Sequence, residues 1–250
     1  MVLCFALTTT QKPVMIRSLF LFTIFALFSD SVRAADDCVI LLHGLARTAD
    51  SMSVIESSLQ DDGYRVVNIG YPSRTQKIEL LAIDAVESSI EACGNDIQQI
   101  HFVTHSLGGI LVRYYESVNR IEDLGRVVML APPNQGSEVV DNWKDVPGYE
   151  LLNGPAGMQL GTDPESLPLR LGPVKFELGV IAGTRTFNPI LSLSLPNPDD
   201  GKVSVERTKV EGMTDFIIMP HTHTFMMLED DVVHQVRHFL AHGKFEHESV

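Results

Sequence analysis

A serine stands at the centre of His105-Ser106-Leu107-Gly108, just after the apolar run Ile100 to Val103 and just before a helical pattern that starts at Leu107. A hydroxyl at the junction of a buried strand and a helix is held on a tight turn at the carboxyl edge of a sheet. Its Oγ projects into the crevice, and the helix start behind it presents backbone N–H groups and a positive dipole end. That placement suits a nucleophile whose reaction builds an oxyanion. Gly108 is the small residue that lets strand and helix approach closely. Thr104 departs from the usual G-x-S-x-G elbow, because it occupies the first glycine position and its branched side chain crowds the turn. The plain alternative is a serine that only caps a helix.

A serine hydroxyl is too weakly acidic to attack unaided, so it needs a general base. The chain has nine histidines, and only those in MPHTHTFMM follow a late strand pattern. His221 and His223 both stand there. The strand DFIIMP ends near Pro220 and the base belongs on the loop beyond it, which favours His223. As a metal pair, His221-x-His223 lacks a third ligand, and open catalytic zinc sites use three. The base in turn needs an acid to hold its tautomer. Asp199 and Asp200, in LPNPDDGKVSV, both follow the strand pattern KFELGVIAG, and Asp200, directly before Gly201, is preferred. Asp215 precedes FIIM, at the amino end of its strand, and four residues at about 3.3 Å each set it roughly 13 Å from the site. The resulting chain order is Ser106, Asp200, His223.

These residues need a frame, and the chain spells one. CVILL at 38–42 is a continuous apolar run, as expected for a strand buried on both faces. Helical spacing follows in SMSVIESSLQDDG, a second strand in YRVVNIGYP, and an amphipathic helix in IELLAIDAVESSIEACG that stops at Gly94. IQQIHFVTH is a third strand, LGGILVRYYESV a helix and GRVVMLAPP a fourth strand; KFELGVIAG and DFIIMP follow, and Asp230 to His242 closes the chain as a helix. Strands alternating with helices at this pace predict a mostly parallel sheet covered on both faces, an α/β architecture. Such sheets place ligands at the carboxyl ends of their strands. The stretch 134–173 breaks the rhythm with Pro, Gly, Asn and the only tryptophan, Trp143, and reads as a cap over the sheet edge or an ordinary surface insertion.

Composition bounds the rest. With 250 residues, 44% hydrophobic and 20% charged, the chain fits one globular domain, here residues 35–250. A formal net charge of −13 argues against nucleic acid or an anionic membrane surface as a partner, since both repel an acidic protein. From Met15 the chain has Arg17, the apolar run SLFLFTIFALF and then Val32-Arg33-Ala34, the pattern of a secretory signal peptide spanning 1–34 and cut after Ala34. The pattern places the expected start at Met15. The apolar run is short of the about 20 residues that span a bilayer, so no stable membrane anchor is expected once it is removed. Its loss takes away Lys12, Arg17, Arg33 and Asp30, and moves the charge from −13 to −15. Cys38 and Cys93 remain. An oxidising destination suits a disulfide between them, and two buried thiols are the alternative.

Taken together, LLHGLART, HFVTHSLGGI, PPNQGS, DDGKVSVERT and THTFMM resemble secreted bacterial α/β-hydrolases of the serine lipase/esterase type, over about Cys38 to His242. The resemblance implies the α/β-hydrolase fold and a carboxylic-ester hydrolase with no cofactor, periplasmic or secreted, acting on a small-molecule or lipid ester. It carries over Ser106 as nucleophile, His223 as base and Asp200 as its acid. By position it assigns the oxyanion hole to the backbone amides of Leu45 and Leu107, and leaves His43 to shape its loop. Thioester or amide cleavage and acyl transfer would use the same residues. A catalytically idle scaffold that binds a partner through Trp143 and its neighbours is the reading from another class.

Overall fold

The structure, a computed structural model, describes residues 36–247. The signal peptide expected over 1–34 lies outside the described residues.

Six strands lie side by side: β1 (Cys38–Leu42), β2 (Arg65–Asn68), β3 (Ile100–His105), β4 (Leu124–Leu130), β5 (Leu178–Arg185) and β6 (Asp215–Thr222). Their order is β2-β1-β3-β4-β5-β6, and every neighbouring pair is parallel. Parallel neighbours need crossovers that shield both faces, so the central strands carry apolar residues throughout. All five residues of β1 are fully buried. Cys38, Ile40 and Leu42 point into one layer, and Val39 and Leu41 into the other.

The first layer is built by α2 (Ile78–Cys93) and α3 (Leu107–Val118), through Leu81, Val86, Ile110 and Leu111. The second holds α1 (Ser53–Asp61) and the closing helix, through Ile55, Leu59, Val236 and Phe239. Between β4 and β5 the chain makes the excursion foreseen at 134–173, with α4 (Glu138–Trp143), α5 (Tyr149–Met158) and α6 (Leu167–Arg170). Two short helices, α7 (Pro189–Ser192) and α8 (Val205–Thr208), lie between β5 and β6, and the closing helix is α9 (Asp230–His242). Among the described residues no helix is long and apolar enough to cross a membrane.

Two features tie this frame together. A disulfide joins Cys38, at the start of β1, to Cys93, at the end of α2, with the Cα atoms 5.9 Å apart. On the chain-entropy argument, closing a loop of that length stabilises by about 4 kcal/mol. Arg113 of α3 is buried and has no carboxylate partner among the described residues. Its guanidinium donates instead to the carbonyls of Asn134 (2.8 Å), Pro168 (3.2 Å) and Gly172 (2.7 Å). Both roots of the excursion thus hang on one side chain. Burial lowers its pKa to about 10, which still leaves it charged at neutral pH.

The sheet order reverses between β1 and β3, since β2 was added on one side of β1 and β3 on the other. A crevice opens at the carboxyl ends of the two strands flanking such a switch. At those ends stand Gly44 and Ser106.

Candidate active site

Ser106 sits between the last residue of β3 and the first of α3, with φ 52° and ψ −116°. A left-handed φ at a non-glycine residue costs of order 1–3 kcal/mol and persists only where its surroundings enforce it. Here the Ser106 N–H donates to the Leu130 carbonyl (2.9 Å), and its own carbonyl accepts from Gly109 N–H (3.1 Å). The close approach predicted at Gly108 is real: a Cβ there would lie 2.5 Å from the Leu42 carbonyl oxygen. Thr104, in the first glycine position of the elbow, is still a strand residue, fully buried and in register with Leu42 and Met129. The backbone reversal falls two residues later, which is how a branched side chain fits there.

His223 follows β6 directly. That strand and β5 run two residues further than their apolar patterns indicate, to Thr222 and Arg185, which still pair with each other. Gly183 permits the approach, because a Cβ there would lie 2.5 Å from the His221 carbonyl oxygen and 2.9 Å from Asp200 Cβ. The His223 backbone N–H then donates to the Asp200 carbonyl (3.0 Å). The side chains complete the link: His223 Nδ1–H donates to Asp200 Oδ2 at 2.8 Å, and Nε2 faces Ser106 Oγ at 3.0 Å. All three residues are buried. The second Asp200 oxygen accepts the backbone N–H groups of Lys202 (2.9 Å) and Val203 (2.8 Å), so the carboxylate is fixed before it meets the ring.

The residues left as rivals point elsewhere. Asp199 accepts from Ser192 Oγ (2.7 Å) and Gly201 N–H (2.7 Å). His221 Nε2 pairs with Asp231 at 2.8 Å, over the start of α9. Asp215, at the amino end of β6, accepts from the Phe245 N–H (2.8 Å).

A further histidine, His105, escaped the sequence reading. Its Nε2–H donates to the His223 carbonyl at 2.9 Å, and the two rings lie 4.9 Å apart. Burial, reinforced by His223, drives its pKa well below 6.5, so it stays neutral and braces the loop that carries His223. The only signal was its place beside Ser106. Gly44 makes room for it, since a Cβ there would meet His105 Nδ1 at 2.6 Å. His43 shapes the same turn: Nε2 accepts the Tyr71 N–H (3.2 Å), Nδ1–H donates to the Gly44 carbonyl (2.9 Å), and its ring stacks on Tyr71 at 4.0 Å. Leu107 is the first residue of α3, where backbone N–H groups have no partner within the helix. Leu45 lies in the turn after β1 and lines the same cavity as Ser106.

That cavity has a volume of about 610 Å³, with Ser106, Asp200 and His223 among its lining residues. One wall is the 134–173 excursion, through Val140, Trp143, Leu152 and Leu160; the other is the 186–191 loop, through Phe187 and Leu191. Trp143 Nε1–H donates to Ser194 Oγ at 3.1 Å and ties the first wall to the segment that follows the second. A larger cavity of about 870 Å³ opens at the opposite end of the sheet around Asp37, His101 and Arg126, with no serine, threonine or cysteine in its lining.

No family model and no curated protein matches the sequence. Solved structures do match in shape. The mature lipase BlEst2 of Bacillus licheniformis superposes with TM-score 0.58 at 16% identity, over 77% of this chain and 87% of that one. The phospholipase PlaB of Legionella pneumophila gives TM-score 0.66 at 18% identity, over 83% of this chain and 58% of its own length. The metagenomic carboxyl esterase MGS0156 gives 0.56 at 18%, over 76% and 65%. With the six-stranded parallel sheet and its two helical layers, these likenesses establish that the chain has the α/β-hydrolase fold.

Proposed function

We propose that the chain is a serine hydrolase of carboxylic esters, of the lipase/esterase type, with Ser106 as nucleophile, His223 as general base and Asp200 as the acid that orients it. One observation carries the reading: the unbroken line from Ser106 Oγ through His223 to Asp200, with links of 3.0 and 2.8 Å at the floor of a cavity. Because Nδ1–H is committed to Asp200, Nε2 offers its lone pair to the Ser106 hydroxyl. His223 takes that proton as Oγ attacks an ester carbonyl. The imidazolium so formed rests against the Asp200 carboxylate. The backbone N–H groups of Leu45 and Leu107 hold the tetrahedral oxyanion, where loss of one donor raises a barrier by about 3 kcal/mol. The alcohol leaves with the proton from His223, and water activated by the same ring releases the acid.

Neighbours in fold named lipase, phospholipase and carboxyl esterase support an ester substrate. The leader pattern and the Cys38–Cys93 disulfide support a periplasmic or secreted protein. The test mixes the mature protein with short p-nitrophenyl esters and, separately, with a serine-reactive fluorophosphonate. Turnover and a label on Ser106 are expected. A folded protein that takes no label there would return the fold to the idle-scaffold reading.

A further inference from the structure

Three cationic residues, the half-buried Arg47 and the exposed Arg74 and Lys202, are among those lining the cavity of Ser106, and the one carboxylate in its lining, Asp200, is committed to His223. Ion pairs of Arg and Lys with carboxylates fall elsewhere, at Arg126–Glu177, Arg207–Glu138, Lys209–Glu206 and Arg237–Asp62. The nearby acids Asp141 and Asp199 lie outside that lining. Asp141 accepts from Thr162 Oγ1 (2.6 Å) and Asp199 from Ser192 Oγ (2.7 Å). In a chain of net charge −13, three cationic residues around a single carboxylate run against the general field.

Their placement is close to the chemistry. Arg47 Nη2–H donates to the carbonyl of Thr224, the residue after the base, at 3.2 Å. Lys202 follows Asp200 by two residues, and its backbone N–H holds Asp200 Oδ1 at 2.9 Å. Lys202 stays exposed at the rim; partial desolvation first, and then the Arg47 charge, lower its pKa, while Asp200 opposes them. Leu45, Val140, Trp143, Leu160, Leu191 and Val203 make much of the remaining lining apolar.

We infer that the cavity selects esters carrying a negative charge, a carboxylate or phosphate on the acyl chain or on the alcohol, with Arg47 and Lys202 as its partners. The inference rests on the ester-hydrolase reading and names its substrate class. Two like charges brought together in a partly apolar pocket repel, and an anion between them relieves that repulsion. The apolar lining then receives the uncharged part of the substrate.

The test uses four esters, each charged one compared with a neutral partner of the same leaving-group type: p-nitrophenyl butyrate against its analogue ending in a carboxylate, and glycerol monobutyrate, which stands as the neutral alkyl ester, against the butyryl ester of glycerol phosphate, with butyrylcholine as the cationic control on the alkyl side. In the wild type at low salt, kcat/KM for at least one anionic ester should exceed that of its neutral partner roughly five- to tenfold, as one or two partly solvated ion pairs give. Which anionic ester gains tells acyl-side from alcohol-side charge. The advantage should collapse as salt approaches about 0.5 M. Lys202→Met and Arg47→Gln should bring the anionic-to-neutral ratio toward one, and Lys202→Glu should tilt it toward butyrylcholine. A wild-type ratio of one or below at low salt overturns the inference while leaving the esterase reading intact. So does a ratio unmoved by salt and by both neutralising variants. The salt series needs no variant, so misfolding of a mutant does not blunt it. A wild type that turns over none of the four esters and takes no fluorophosphonate label overturns both readings.

Discussion

The sheet carries a buried histidine–aspartate pair at each end. At the carboxyl end His223 meets Asp200 at 2.8 Å; at the amino end His101 Nε2 lies 3.5 Å from Asp37 Oδ2. The second ring nitrogen separates them. His101 Nδ1 accepts the backbone N–H of Arg126 at 2.7 Å, and Gly125 lies so close that a Cβ would sit 2.4 Å from that atom. Both nitrogens of His101 are therefore directed at other groups, and the cavity beside it has no serine, threonine or cysteine in its lining to serve as a nucleophile. His223 turns its second nitrogen to a hydroxyl on a strained turn, at the floor of a largely apolar cavity. The carboxylate alone does not make a histidine a base. The larger of the two cavities belongs to the structural pair, so size does not mark the site either.

The contrast can be broken most directly by substitution at both ends. Ser106→Ala should lower kcat for ester hydrolysis by about 10⁴-fold or more, and Asp200→Asn by about 10⁴-fold through the wrong tautomer. His101→Gln and Asp37→Asn should leave kcat per folded molecule within a few-fold and lower the melting temperature instead. A folded but inactive His101→Gln would erase the distinction.

Gly125→Ala should destabilise by roughly 2–3 kcal/mol in urea unfolding, because the added methyl overpacks the His101 ring. Combining it with His101→Ala should cost less than the two changes summed, since the ring it strikes is gone. Strict additivity would show that the glycine serves some other contact.

A smaller effect comes from acid. Burial lowers the pKa of His101 below 6.5, with Asp37 opposing, and lowers those of His43 and His105 as well. Each folded ring binds its proton less readily than the unfolded chain does. Stability is therefore whole above about pH 6.5 and declines as pH falls toward the folded values, by at most about 1.4 kcal/mol per ring per pH unit. Urea midpoints should show that decline, and His101→Gln should flatten part of it. A profile as steep in the variant as in the wild type would take His101 out of the account.

Much of this was legible in the residues themselves. Continuous apolar strands, helical spacing and the Gly94 stop marked the layers, and Ser106 announced itself by standing between a strand and a helix. Asp199 and Asp200 were harder to separate, because neighbours in sequence diverge only when a turn aims them, here through the Lys202 and Val203 amides. His105 went unnoticed since its partner is a carbonyl 118 positions away. Phe187 and Leu191, on the second cavity wall, stand in no periodic pattern that marks them in the sequence. Loops reveal their inner face only against what they pack on.

Arg113 has a consequence for how this scaffold can diversify. One guanidinium clamps Asn134, Pro168 and Gly172, so the stem of the excursion is bolted to the chassis while its tip, from Lys144 to Asn153, is not fastened by that clamp. The tip includes Leu151 and Leu152, exposed at 85% and 65%. Replacing that tip by grafting, with the bolt left in place, would exchange the part of one cavity wall that Leu152 supplies while Ser106, His223 and Asp200 stayed in alignment.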